Sequence, residues 1–237
     1  MKNNKYKHPK YQHSLANYVE NTIDKLIETS DINPENDSEL SERVLIYHYL
    51  PTDAKVLEIG GGWGMVSREI RKKIPNKDIV IIEPHHERAN NLIKGNFNVF
   101  VGLISNTPLQ YNGYITENTF SGEKECFKDY KSQTISNITT IQNLEKMYNI
   151  KFTALVVDCE GALPQIINDN PDILEQITYI QMEYDWGVNE CTEFRNMLIK
   201  KNFTSIKKLP LHWKPSHGAG ALDENNELVG HEVLMRI

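Results

Sequence analysis

The stretch Val56-Leu57-Glu58-Ile59-Gly60-Gly61-Gly62-Trp63-Gly64 limits what this chain can fold into more than any other. An apolar run ends on an acid and passes through glycines into a segment with helical spacing. That is the pattern of a buried strand turning tightly into a helix. A second apolar run, Ile79-Val80-Ile81-Ile82, ends on Glu83, 25 residues after Glu58. A glycine turn followed by a carboxylate at the next strand end is how an open α/β sheet grips an adenosine-type cofactor. The glycines let the backbone approach the ligand, and the carboxylate accepts hydrogen bonds from ribose hydroxyls.

The glycine spacing narrows the choice of cofactor. A dinucleotide fingerprint reads G-x-G-x-x-G, yet the position three after Gly62 is Met65. The observed pattern is E-x-G-x-G-x-G, with an acid ahead of the loop. A pyrophosphate wants helix N–H groups without negative charge beside them. Glu58 suits a cationic group instead, an ammonium or a sulfonium, which favours S-adenosylmethionine over NAD.

Strand and helix patterns alternate along the rest of the chain. Strands are predicted at 55–59, 79–82, 98–103, 153–157, 177–182, 203–207 and 231–237. Helices are predicted at 14–29, 39–49, 63–74, 84–94, 141–148, 162–167 and 191–201. The alternation implies an α/β fold, a mostly parallel central sheet with helices on both faces. Residues 1–50 read as an N-terminal helical extension placed to cover the active site, and 51–237 as the main domain. An insertion at about 106–140 breaks the alternation with short strands around a polar loop.

Composition sets outer bounds. At 237 residues the chain can bury a full core. No apolar run approaches the length of a membrane span, and the first residues lack the apolar segment of a signal peptide. Cys126, Cys159 and Cys191 are widely spaced, as free thiols of a reducing compartment are, so a cytoplasmic location is expected. The net charge of −6 gives no bulk attraction to nucleic acid, and no nucleic-acid partner is expected. The lysines at 2, 5, 7 and 10 read as a solvated tail or as a lid over an anionic substrate.

Four blocks in order carry a family resemblance: Glu58-Ile59-Gly60-Gly61-Gly62-Trp63-Gly64, Glu83-Pro84-His85, Val157-Asp158-Cys159-Glu160-Gly161-Ala162 and Ile180-Gln181-Met182-Glu183. With them the chain, from about 55 to 203, resembles the class I S-adenosylmethionine-dependent methyltransferases. More narrowly it resembles the FkbM type, whose D-x-E-G-A block the third stretch matches. Gln142 and Leu163 depart from that family's usual aspartate and glutamate. The resemblance implies a Rossmann-like class I methyltransferase fold with an antiparallel C-terminal strand. It also implies O-methylation of a sugar, glycan or related natural product, with a small-molecule or glycan acceptor.

Read in that frame, Gly60, Gly62 and Gly64, with Glu58 and Trp63, would pass close to the methionine part of S-adenosylmethionine. Glu83, followed by Pro84, would hold the ribose hydroxyls. Ser105 and Asn106 would lie at the adenine edge or serve as turn residues. Asp158 would meet the cofactor and, with Glu160, activate the acceptor hydroxyl; Glu160 also fits a helix-terminal carboxylate. Asp158, Glu183 and Asp185 form an oxygen-rich set that suits Mg²⁺ or merely caps helices. His212 and His217, flanking Trp213 in a Pro/Gly-rich loop, are further general-base candidates or incidental loop residues. An amine or protein acceptor, a non-catalytic cofactor-binding module and an NAD-binding oxidoreductase are the competing readings. The sequence leaves the oligomeric state open.

Overall fold

Three short aliphatic strands form the centre of the structure, a computed structural model that describes residues 30, 39–106, 109–111, 133–135, 137–209 and 220–236. They are β1 (Val56–Ile59), β2 (Ile79–Ile82) and β8 (Ala154–Val157), and every residue in them is buried. Continuous burial marks parallel strands covered on both faces. Around them the chain runs α1 (Leu40–Tyr49), β1, α2 (Met65–Lys73), β2, α3 (His86–Lys94), β3 (Val99–Phe100), β4 (Leu103–Ile104), β5 (Leu109–Tyr111), β6 (Gln133–Ile135), β7 (Ile138–Thr139), α4 (Ile141–Tyr148) and β8. It continues as α5 (Leu163–Asp169), α6 (Ile173–Gln176), β9 (Tyr179–Glu183), α7 (Val188–Lys200), β10 (Phe203–Leu209), β11 (Ala221–Leu222), β12 (Leu228–Val229) and β13 (His231–Arg236).

Seven strands pair in the order β10-β13-β9-β8-β1-β2-β3. The five from β9 to β3 are mutually parallel. The last strand, β13, lies antiparallel between β9 and β10. The α/β class, the mostly parallel sheet and the antiparallel C-terminal strand are therefore as the sequence implies. A dinucleotide-binding sheet ends 4-5-6; here an antiparallel strand separates the fifth from the sixth.

Alternation along the strands sorts side chains to two faces. Leu57, Ile59, Leu155, Val157, Ile180 and Met182 enter one core cluster; Val56, Ile79, Ile81, Ala154, Val156 and Tyr179 enter the other. The second is completed by Leu40, Val44, Leu45 and Ile46 of α1, which packs on β9, β13 and α2. The predicted helix at 14–29 lies outside the described residues, as does most of 106–140, where β5 and β6 form an antiparallel pair.

The strand expected at 98–103 is split. Val99–Phe100 pairs with β2, and Leu103–Ile104 pairs instead with β7. Gly102 marks the break: a Cβ there would sit 2.1 Å from the Asn137 carbonyl oxygen, so the chain crosses closely at that point. Helix α6 and the β11–β12 hairpin are absent from the sequence reading; both are too short for periodicity to show.

A charged network anchors β13 to α7. Arg195 donates from Nε and Nη2 to Glu232 at 2.9 Å each, and the Tyr184 hydroxyl donates to Glu232 at 2.6 Å. Removing one member of a buried ion pair leaves the other charge uncompensated, at a cost of about 3–5 kcal/mol. Glu232→Ala is expected to lower unfolding stability by about 3 kcal/mol or more in urea titrations. Glu224→Ala, which removes the exposed second partner of Arg195, should change it by less than about 1 kcal/mol.

Candidate cofactor and catalytic site

Strand order reverses between β1 and β8, and ligands of open α/β sheets bind outside the carboxyl ends of the strands at such a switch point. The glycine turn lies there. Gly60 has φ +91°, and a Cβ on it would stand 1.6 Å from the Asp158 carbonyl oxygen. Only glycine lets the two strand ends meet this closely. Gly62 has φ +51°, and the nearest atom to a Cβ there is Glu39 Oε1 at 3.6 Å. The loop thus turns bare backbone toward a space bounded on its far side by a carboxylate.

Glu83 braces this loop across the sheet. Its Oε2 accepts from the Gly62 N–H at 2.8 Å and its Oε1 from the His85 N–H at 2.7 Å. Each oxygen keeps a second lone pair for a ligand hydroxyl. Burial raises its pKa, and the two N–H donors oppose the rise. Pro84 connects Glu83 to His85, the residue ahead of α3. Trp63 is half-exposed in the loop, and its carbonyl accepts from Asn91.

Glu58 alternates with Val56 and so points to the face covered by α1. Its Oε1 accepts from the Ser67 hydroxyl at 2.8 Å, whereas its buried Oε2 has no hydrogen-bond partner among the described residues. Burial lifts its pKa to about 8, and Glu39 and Glu83 add to the rise. A narrow cleft beside it, of about 10 Å³, is lined by Glu39, Glu42, Glu58, Gly60, Val66 and Asp158.

Glu39 and Glu42 are site residues that the sequence reading missed. Glu39 stands ahead of α1 in a left-handed conformation, φ 55°, and its Oε2 accepts from the Val66 N–H at 3.2 Å, in the first turn of α2. Burial raises both glutamates to about 7, with Glu42 adding to the rise at Glu39. The sequence carried no local signal for them: the helix that follows Glu39 is buried from Leu40 to Ile46 only through its docking on the sheet.

Asp158, Glu160, Glu183 and Asp185 follow at the ends of β8 and β9. Burial, then Asp185, Glu160 and Glu42, hold the Asp158 carboxyl well above the usual carboxylate range. Glu183 and Asp185 are raised well above it for the same first cause. No hydrogen bond of ordinary geometry reaches either Asp185 oxygen, and the backbone N–H groups of Glu160 and Gly161 only partly offset its burial. Glu160 is raised by burial, opposed by Arg88, and holds a left-handed φ of 52°. His231 was also missed as a site residue. Its Nδ1 is 3.5 Å from Glu42 and its Nε2 3.8 Å from Glu183, and burial lowers its pKa to about 3.

The other candidates divide. Ser105 is buried and its N–H donates to the Thr139 carbonyl at 3.0 Å. The Asn106 side chain and N–H are both bound to Asp169, and Asn106 lines a separate cleft with Thr140, Gln142 and Asn170. The structure does not bring Asn106 into the glycine-loop cleft. The histidines at 212 and 217, and the tryptophan between them at 213, lie outside the described residues. Of the expected Mg²⁺ set, Glu183 converges with Glu42 and His231 rather than with Asp158 and Asp185. No described helix is long and apolar enough to cross a membrane.

No protein-family model matches the sequence, and no curated protein matches it. Several solved structures are similar to it. A Streptococcus pneumoniae protein provisionally assigned as a tRNA (m1A22) methyltransferase, crystallised with S-adenosyl-L-methionine, is similar over 83% of this chain and 72% of its own, at 10% identity and a TM-score of 0.48. The ribosomal protein L11 methylase of Lactobacillus delbrueckii subsp. bulgaricus is similar over 84% and 78%, at 10% identity and a TM-score of 0.47. The precorrin-6y C5,15-methyltransferase of Geobacter metallireducens is similar over 87% and 93%, at 12% identity and a TM-score of 0.43.

The raised carboxyls set a pH dependence. Glu58 at about 8, against an ordinary 4.5, keeps its proton in the folded chain where the unfolded chain has lost it. Its contribution to stability is complete below about pH 4.5 and is lost as pH rises through about 8. Glu39 and Glu42 act likewise up to about pH 7. Thermal scans of the ligand-free protein should show Glu58→Gln flattening the pH dependence of Tm between about 5 and 8. An unaltered slope in the variant would mean that Glu58 is ionised throughout.

Proposed function

We propose that this chain is an S-adenosylmethionine-dependent methyltransferase acting on a hydroxyl of a sugar, glycan or related natural product. The observation that carries the cofactor assignment is the charge around the glycine loop. The first turn of α2, where a dinucleotide pyrophosphate would dock, receives the Glu39 carboxylate, with the orphaned Glu58 oxygen beside the same cleft. Buried carboxylates disfavour a dianion and favour a cation. The bare backbone at Gly60 and Gly62 and the two free lone pairs of Glu83 fit the remainder of that cofactor.

Bound S-adenosylmethionine supplies a methyl group on a sulfonium, open to in-line attack by an acceptor oxygen. The chain's own residues do the rest. Glu58 and Glu39 face the cationic part, Glu83 orients the ribose hydroxyls, and Gly62 permits close approach. Asp158 accepts the acceptor hydroxyl's proton, a role that suits a carboxyl held above its ordinary pKa. Glu160 and Asp185 keep it there by their negative charge. The helix α1, which already overlies β9 and β13, serves as the cover expected of residues 1–50.

Calorimetric titration tests the cofactor assignment directly. S-adenosylmethionine is expected to bind and NAD is not; the reverse would make the chain a redox protein. Glu83→Ala should weaken cofactor binding at least tenfold with the fold intact by circular dichroism. Asp158→Asn should leave cofactor affinity within a few-fold and lower turnover on a hydroxyl acceptor by roughly 10²-fold or more. Turnover confined to amine or protein acceptors in a mixed panel would overturn the acceptor class and leave the cofactor standing.

A further inference from the structure

We propose that Glu42, Glu183 and His231 form a binding site for one divalent first-row transition-metal ion, of the Zn²⁺ or Mn²⁺ kind. Three separate elements deliver the ligands. Glu42 comes from α1, Glu183 from the carboxyl end of β9, and His231 from the first position of β13. His231 and Glu183 are direct partners in the antiparallel register, so their side chains stand together on one face of the sheet. Alternation from Val233 and Tyr179, both in the core cluster beneath α1, makes that the face which α1 covers.

His231 lies between the two carboxylates, with Nδ1 3.5 Å from Glu42 and Nε2 3.8 Å from Glu183. One ring nitrogen ligates one ion, so the separation that matters is that of one atom per residue. One atom from each residue lies within 4.8 Å of the other two, the only such convergence of His, Cys, Asp or Glu among the described residues. Metal–ligand bonds of about 2.1 Å in tetrahedral geometry place ligand atoms about 3.4 Å apart. Small side-chain movements close that gap.

The donor set selects the ion. One imidazole with two carboxylates is a mixed nitrogen and oxygen set, which suits Zn²⁺ or Mn²⁺; Mg²⁺ and Ca²⁺ take oxygen almost exclusively. Three protein ligands leave further positions for water or an acceptor oxygen. The set shares only Glu183 with the all-oxygen Mg²⁺ set expected from sequence.

A second observation points to a missing cation. The buried Glu58 Oε2, which lines the same cleft as Glu42, has no hydrogen-bond partner among the described residues. Buried polar atoms are normally satisfied. A dication among these carboxylates offsets the charge that burial would otherwise strand. The inference does not depend on the methyl-transfer reading.

The test uses the full chain, stripped with a chelator and titrated with Zn²⁺, Mn²⁺ and Mg²⁺ in the absence of S-adenosylmethionine. We expect one equivalent of Zn²⁺ or Mn²⁺ to bind and raise Tm, with Mg²⁺ at least tenfold weaker. Glu42→Gln and His231→Gln should each weaken binding at least tenfold, whereas His86→Gln, at an exposed histidine on α3, should not. Absence of binding, or equal affinity in both ligand variants, would overturn the site. If either variant fails to fold, X-ray absorption of the metal-loaded wild-type protein decides. One imidazole among oxygen ligands supports the proposal, and a shell with no imidazole or with several refutes it.

Discussion

The ends of β1 and β8 meet too closely for a side chain to stand between them. Gly60 packs where any side chain would strike the Asp158 carbonyl, and the Asp158 N–H donates back to Ile59. This contact fixes the crevice at the point where strand order reverses. The glycine turn can then hand its N–H at Gly62 to Glu83, and Leu92 of α3 packs against Gly61 and Gly64 with no room for a Cβ. Strand geometry, loop and acid are one unit. A shift of β1 against β8 would displace every group proposed to touch a ligand.

Above that contact lies a layer of carboxyl groups whose pKa values burial raises. Strand alternation sends Glu58, Gln181, Glu183 and His231 to the face beneath α1, and α1 returns Glu39 and Glu42. Gln181 donates to the Glu42 carbonyl and the Tyr179 hydroxyl donates to Gln181, so neutral contacts join helix and sheet beside these carboxyls. The strongest charges on Glu183 are all carboxylates. Charge that is costly to bury is retained where it meets something positive. A sulfonium cofactor and a bound dication would answer different parts of this layer.

The sheet was legible because its central strands are short, mostly aliphatic runs that each end beside an acid. Residues 79–82 and 141–148 form the elements expected there, with the same ends. The place of Glu83 beside the glycine loop was legible because an acid that ends a parallel strand stands at the carboxyl edge of the sheet. Asn106 was not: a polar residue after a strand says nothing of the break at Gly102 that carries the chain away from the sheet. Glu39, Glu42 and His231 were hidden for another reason. Acids on a short helix usually face solvent, and only the docking of α1 turns these inward. His231 gains its meaning from its partner across the sheet, a relation between positions 183 and 231 that no local pattern contains.

The position of β13 governs the order in which the molecule is completed. On a chain made from its amino end, β10 emerges with no strand beside it, because its place in the sheet is on the far side of one not yet synthesised. Glu183 and Arg195 wait with it, since His231 and Glu232 arrive together on that last strand, one for each face. Closing the sheet, seating the buried arginine and finishing the acidic crevice therefore happen in a single late event. A nascent chain carries a formed glycine loop well before it carries a finished site, and only the completed fold presents both.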